Sequence, residues 1–281
     1  MLAWNVWSIA NEEKLNNFLQ ILDDQKISIA CITETWFDRK NGKFSKTIKD
    51  AGFELHHTFR EDKRGGGSAI IYKRDMSVKK GGASSSIYSS FEYSYVTLTL
   101  QSKRKLIMVC LYRKQEVAFN IFHDELTLIM DKLSNVGDSL LLVGDFNVWA
   151  DNRDDKHVKM LEDLLSAYGL IQTVEGPTHR SGHTLDHIYI NPYQLDVEHE
   201  VIIESWGLTT DHYPLLLQIP SGGVENKTQT LYYRKLKDVH IDAFNIELQN
   251  SLTVSLYIFH NSIKFLVKLL TTSCNMEEKM S

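Results

Sequence analysis

Several apolar runs of this chain end abruptly in acids, and those acids are the residues best placed to do chemistry. The sharpest run is Leu140-Leu141-Leu142-Val143-Gly144-Asp145-Phe146-Asn147. If the backbone stays extended, Asp145 and Asn147 point to one side and Phe146 points into the core. A carboxylate beside an amide suits activation of a water and stabilisation of an oxyanion. Ile29-Ala30-Cys31-Ile32 runs into Thr33-Glu34-Thr35, which would put a carboxylate at the mouth of a sheet, where ligands and metals bind in layered folds. Leu185-Asp186-His187-Ile188-Tyr189-Ile190 places Asp186 on the same strand face as Ile188 and Ile190. An acid on an apolar face must find a partner or cost several kcal/mol. Asp211-His212, just before the apolar residues 213–217, offers one. Asp186 would hold the His212 imidazole charged and oriented, leaving Asp211 for a metal or a water. Each segment also has a plainer reading: a surface Glu beside a helix start, an Asx-rich turn at a strand end, a buried structural pair.

Other chemistries find little support. Arg64-Gly65-Gly66-Gly67 has no following Lys-Ser/Thr and so is no phosphate loop; it marks a tight turn or close packing. His179 and His183 have i, i+4 spacing, but Pro177, Ser181 and Gly182 make their segment a loop rather than a helical zinc site. No Gly-x-Ser-x-Gly elbow supports a serine hydrolase. Glu92 shares a strand face with Val96 and Leu98 in an undecided role. Residues 60–80 hold seven basic side chains against three acidic, and residues 101–114 five against none. Either stretch could line a phosphate backbone or be a solvated surface.

These side chains need a scaffold. The 281 residues are 43% hydrophobic and 24% charged, enough apolar content for a substantial core and too much for general disorder. A formal charge of -5 excludes a polycationic nucleic-acid coat but leaves room for local basic lining around an acidic centre. Cys31, Cys110 and Cys274 are too few and scattered for a disulfide framework, as in a reducing, intracellular compartment. No signal peptide is expected at residues 1–10, and the charged and polar interruptions in 251–270 argue against a membrane span. Strand-like runs cover 2–8, 27–33, 53–59, 68–73, 91–100, 106–112, 139–143, 184–190, 197–203 and 213–219. Helical spacing joins Leu15, Phe18, Leu19 and Leu22; Phe122, Leu126, Ile129 and Leu133; and Leu161, Leu164, Leu165 and Tyr168. Residues 81–86 read as a small turn-like patch. Roughly ten strands and three helices make an α/β layered domain, and adjacent strand pairs argue against a purely parallel sheet. Pro220-Ser221-Gly222-Gly223 reads as a linker, so one domain is expected over 1–219. A poorly patterned tail follows over 220–281, with a possible helix at 238–252.

Asn5, Glu34, Tyr112, Asp145-Phe146-Asn147, Asp186 and Asp211-His212 follow one another in an order that resembles the endonuclease/exonuclease/phosphatase superfamily, which includes apurinic/apyrimidinic endonucleases and neutral sphingomyelinases. Gly-Asp-Phe-Asn and the late Asp-His are its most specific signals. Thr33-Glu34-Thr35-Trp36, Gly65-Gly66-Gly67, Tyr112-Arg113, Pro177-Thr178-His179 and Thr184-Leu185-Asp186 look more narrowly like the endonuclease domains of LINE-type (non-LTR) retrotransposons. The resemblance covers residues 2–219, and Tyr233-Arg234-Lys235-Leu236-Lys237 resembles the segment linking such domains to a reverse transcriptase.

The resemblance implies a four-layer α/β sandwich, two mixed β-sheets face to face with helices outside. It implies that Glu34 holds magnesium (manganese as a substitute) with Asn5 close by, and that Asp145 orients or deprotonates the attacking water. Asn147 and His212 would stabilise the pentavalent state, Asp186 would orient His212, and Tyr112 would contact the scissile phosphate. Asp211 would support the metal or water, with Arg113, His179 and Thr184 toward the substrate. Departures are Trp7 for a small polar, acidic or arginine residue, Lys114-Gln115 after Tyr112-Arg113 where proline is usual, and Thr210 for serine. The leading expectation is a magnesium-dependent endonuclease nicking DNA, intracellular, and nuclear if its substrate is chromosomal, with no obligate protein partner. A lipid or inositol phosphoesterase of the same superfamily and a non-catalytic binding relic are the alternatives.

Overall fold

A computed structural model of the protein describes residues 1–38, 42–60, 65–195, 198–202 and 206–219. The expected linker, the helix at 238–252 and the 233–237 segment lie outside the described residues. In chain order the elements are β1 (Leu2–Asn5), α1 (Glu12–Asp24), β2 (Ile29–Thr33), α2 (Gly42–Asp50), β3 (Phe53–His57), β4 (Ser68–Lys73), β5 (Val78–Ser84) and β6 (Phe91–Thr99). β7 (Lys105–Arg113), α3 (Phe119–Leu133), β8 (Ser139–Asp145), α4 (Lys156–Ala167), β9 (Ile171–Gln172), β10 (Asp186–Ile190), β11 (Glu198–Val201) and β12 (Leu215–Gln218) follow.

The strands form two six-stranded sheets, ordered β11-β12-β1-β2-β4-β3 and β5-β6-β7-β8-β10-β9. Each has one parallel pair, β1 with β2 and β7 with β8, among antiparallel neighbours. Alternation along the strands sorts the side chains into layers. Ala3, Ile29, Cys31 and Ile70 of the first sheet meet Val96, Met108, Cys110, Leu141, Val143 and Ile188 of the second in one buried cluster. The opposite face of the first sheet (Leu2, Trp4, Ala30, Ile32) packs on Leu15, Phe18 and Leu22 of α1 and Phe44 and Ile48 of α2. The opposite face of the second (Val109, Leu111, Leu142, Tyr189) packs on Phe122, Leu126 and Ile129 of α3 and Leu161 and Leu165 of α4. Central strands buried on both faces read as continuous apolar runs, which is why β2, β7 and β8 were plain in the sequence. The result is helix, sheet, sheet, helix: the four-layer sandwich, with mixed sheets.

Caps explain two helix starts. Asn11 accepts from the backbone of Glu13 (2.9 Å) and Lys14 (3.2 Å), and Asp155 from His157 (2.7 Å) and Val158 (3.3 Å). Three elements depart from expectation. α2 has only two buried apolar residues, Phe44 and Ile48, too few to show a period. The supposed turn at 81–86 begins inside β5, where glycine is needed: a Cβ on Gly81 would sit 2.1 Å from the Tyr95 ring. β9 has two residues. Among the described residues no helix is long and apolar enough to cross a membrane.

Candidate active site

At one end of the inter-sheet layer the apolar side chains give way to polar ones on both sheets. In the second sheet Glu92, Tyr112, Asp145 and Asp186 stand directly opposite one another on β6, β7, β8 and β10. Paired residues share a face, and stepping two residues inward from the last three reaches Cys110, Val143 and Ile188 of the inter-sheet core. In the first sheet the matching row is Asn5, Thr33 and Ser68. Two polar rows therefore face each other where the sandwich opens. Asn5, Asp145, Asp186 and Glu92 are nearly or fully buried, and His212 is 8% exposed.

Asn5 bridges the rows. Its amide nitrogen donates to Asp145 Oδ2 (2.9 Å) and Glu34 Oε1 (3.0 Å), and its Oδ1 accepts from the Trp7 backbone (3.1 Å). His212 Nδ1 lies 2.7 Å from Asp186 Oδ2; its Nε2 is 3.5 Å from the Asn5 amide nitrogen and 3.9 Å from Asp145 Oδ2. The Trp4 indole donates to the His212 carbonyl (2.9 Å). Thr210 Oγ1 accepts from His212 N (3.2 Å) and donates to Asn5 O (2.9 Å). Thr178 Oγ1 accepts from the backbones of Leu185 and Asp186, both at 2.9 Å, pinning the start of β10. Asp211 Oδ2 lies 3.1 Å from His179 Nε2, and the His179 ring meets His212 edge-on with centroids 4.7 Å apart.

The loops around this cluster carry unusual backbone. Trp7, Ser8, Glu34, Trp36 and Asn147 all have positive φ without being glycine, a conformation that costs of order 1–3 kcal/mol each and persists where the surroundings impose it. Ser8 N bonds Glu34 O (2.7 Å), Ile9 N bonds Thr35 O (3.2 Å) and Trp36 N bonds Gly66 O (2.9 Å). A Cβ on Gly67 would lie 2.4 Å from Thr35 Oγ1, so the glycine run serves close packing beside Glu34. Trp36 Nε1 donates to the second Glu34 oxygen at 3.3 Å.

The structure thus brings Asn5, Glu34, Asp145, Asp186 and His212 into one connected cluster. Tyr112 stands in the Asp145 row, and Asp211 and His179 lie against the histidine. Three other expected residues point elsewhere. The backbone does not stay extended past Asp145: β8 ends there, Gly144 has φ +143° and Asn147 φ +50°. Asn147 N donates to Asp145 Oδ1 (2.9 Å), but its side-chain amide donates to Arg113 O (2.7 Å) and accepts from Gln115. Arg113 is on the helix-facing side of β7, bonded to the carbonyls of Asn147 (3.1 Å) and Val117 (3.2 Å) and lying over Phe119 and Phe122. Thr184 is buried, its hydroxyl donating to Gly176 O at 2.6 Å. Arg113 and Thr184, expected toward the substrate, thus spend their side-chain hydrogen bonds on backbone carbonyls of their own chain. Reading the sequence also missed Arg60, which pairs with buried Glu92 while Gly67 N donates to the other Glu92 oxygen (2.6 Å). Arg60 also lies 6.0 Å from the Tyr112 ring centre. Thirty-two residues separate the ion pair, and no local pattern could reveal it.

Charge follows burial. Desolvation pushes the Asp145 carboxyl up to about 7, with Asp186 adding to it and His212, Asn5 and the Asn147 amide opposing. Burial works against a charged His212, but Asp186, then Asp145 and Asp211, outweigh it and raise the ring to about 10. Burial also raises Tyr112 and Glu92. Asp211 is held below the usual carboxylate range: its partial burial is outweighed first by the hydrogen bond from His179. Glu34, Asp145 and Asp186 facing one imidazolium leave an excess of negative charge that a divalent cation would neutralise, and oxygen donors are what a hard cation takes. Asp145-Asp186-His212 and His179-Asp211-His212 each bring acid and imidazole atoms within 4.8 Å of one another, and while His212 is charged the carboxylate oxygens are the donors open to a cation.

A family model described as the endonuclease/exonuclease/phosphatase family matches residues 2–212. The chain belongs to that family. Its members use divalent metals, which the acidic and histidine groups here could hold. As an endonuclease/exonuclease/phosphatase protein it has a phosphoester hydrolase fold. The endonuclease domain of TRAS1, a telomere-specific non-LTR retrotransposon, superposes with a TM-score of 0.60 at 17% identity over 78% of this chain and 96% of that one. A 3′ phosphatase from Neisseria bound to product DNA hairpin gives 0.57 at 18%, covering 78% and 98%. A mannosyl-6-phosphatase from Bacteroides thetaiotaomicron gives 0.56 at 15%, covering 78% and 98%. Such likenesses show the family fold shared by nucleases and phosphatases. No curated protein matches the chain in sequence.

Proposed function

We propose that this protein is a magnesium-dependent phosphodiesterase that nicks one strand of DNA. The observation that carries the reading is one cluster: the Asn5 amide donates to both Asp145 and Glu34, and beside them Asp186 holds a charged His212 whose Nε2 is 3.9 Å from Asp145. Magnesium held by Glu34 near Asn5 would polarise the phosphate and neutralise the charge that grows on its oxygens.

The protein groups divide the remaining work. Asp145, whose burial favours the protonated form, takes the proton of the attacking water; Asn5 and the Asn147 backbone fix its oxygens. His212 is held charged by Asp186, so its Nε2 proton is offered to a phosphate oxygen and stabilises charge in the transition state. Tyr112 stays protonated and can donate to the same phosphate. The carboxylate row would repel the phosphate backbone without the cation and His212, so this reading requires both. Retrotransposon-type motifs at Thr33–Trp36 and Pro177–His179 favour DNA as the substrate. Plasmid relaxation tests this directly, and phosphate release from a sugar or lipid phosphomonoester without plasmid nicking would move the substrate to the small-molecule branch.

A further inference from the structure

Four residues past Asp145, the Trp149 indole is 50% exposed, although His183 covers one of its faces, with ring centres 3.7 Å apart and planes 7° from parallel. A lone exposed aromatic means little, but this one is held in place. His183 Nδ1 lies 3.0 Å from Asp151 Oδ2, and Asp151 Oδ1 accepts from Thr184 N at 2.8 Å. Ala150 N donates to Thr184 O and Phe146 N to Leu185 O, both at 3.0 Å, and His187 Nε2 is 2.9 Å from Val148 O. The two segments joined in this way are those that deliver Asp145 and Asp186 to the cluster, so the ring stack is built on the same rigid frame.

We propose that Trp149, backed by His183, is a stacking platform for a nucleobase beside the phosphate being attacked. This rests on DNA being the substrate. Four residues span at most about 14 Å and a strand advances about 3.4 Å per phosphate, so a base within a few nucleotides of Asp145 can reach the indole. The ring face turned away from His183 takes the base, and the Asp151–His183 contact keeps the indole from having to be ordered on binding. Every base offers a π face, so the contact is tolerant of sequence. A base can lie on Trp149 only outside its helical stack. The platform therefore favours unpaired or distorted DNA over relaxed duplex.

A single-stranded oligonucleotide of about twelve residues containing one 2-aminopurine, titrated with the full chain, tests this. Wild type and Trp149→Phe quench the probe; Trp149→Ala and Trp149→Leu, the second keeping bulk without a π face, lose the quench and bind roughly tenfold more weakly. Circular dichroism confirms that each variant is folded. Binding and quenching by Trp149→Leu equal to wild type, or by Trp149→Phe as poor as Trp149→Leu, overturns the platform. Plasmid nicking by wild type is scored separately. Nicking with unchanged base contact in Trp149→Leu removes the platform alone, and a lost base contact without nicking removes the nicking reading alone.

Discussion

Asp186 and His212 show how one contact sets the chemistry of a residue. The 2.7 Å approach of the carboxylate is the main force holding the ring charged against burial. Asp186→Asn keeps the shape and removes the charge, so the ring pKa falls toward its ordinary value. Two effects are expected: kcat drops by about 10²–10⁴, and the alkaline limb of the pH–rate profile moves to lower pH. An unchanged limb would detach His212 from the reaction. The same shift has a stability consequence. A histidine whose folded pKa lies above its unfolded one stabilises the fold fully below about pH 6.5. That contribution is lost as pH rises toward the folded value of about 10. In metal-free protein, the excess melting temperature of wild type over His212→Asn should be largest near pH 6.5 and shrink on the way to pH 10. A difference that grows with pH would mean the ring is neutral in the fold.

The elements decide which side chains can meet. Gly144 sits in β8 beside Leu111 of β7, and a Cβ there would lie 2.0 Å from the Leu111 carbonyl oxygen at a φ of +143°. Gly144→Ala should cost about 3 kcal/mol, read as a lower urea midpoint, and should reduce activity by displacing Asp145. Native-like stability in that variant would contradict the β7–β8 register. This glycine also marks where sequence reading stops. The apolar runs of β2, β7, β8 and β10 revealed themselves, and so did the acids ending them, because burial on both sheet faces leaves a continuous signal. That Asp186 needs a partner is legible too, since it is an acid on an apolar face, but that His212 is the residue it meets is shown only by the fold. The place of Asn147 was not legible: it depends on the backbone turning at Gly144 and Asn147, which residue types alone do not dictate. Glu92 was visible as an acid on a strand face, but its partner Arg60 comes from a loop with no periodicity.

Across the whole molecule, charge is distributed unevenly. Of the two basic stretches, Lys103, Arg104 and Lys105 lie at the β6–β7 turn, about 23 Å along β7 from Tyr112 at roughly 3.3 Å per residue. Lys73 and Arg74 lie at the end of β4 away from Ser68. Arg60 and Lys114 are at the site end, joined by Arg180, which bonds the Thr210 carbonyl beside Asp211. If DNA is the substrate as proposed, the few cations near the site among the described residues and a net charge of -5 predict weakly salt-dependent binding, with a log–log slope of about 3 for roughly three phosphate contacts. Lys114→Gln with Arg180→Gln should lower that slope, and replacing Lys103, Arg104 and Lys105 together by Gln should leave it unchanged. The opposite pattern would move the DNA track to the other end of the sandwich.

The most direct measurement is relaxation of supercoiled plasmid by the full chain with magnesium, with EDTA, and by folded Asp145→Ala and Glu34→Ala proteins. Metal-dependent nicking by wild type, abolished by EDTA and lowered at least about 10³-fold in both variants, is the predicted result. Nicking that survives both substitutions, or a folded wild-type protein that leaves the plasmid supercoiled, would contradict it.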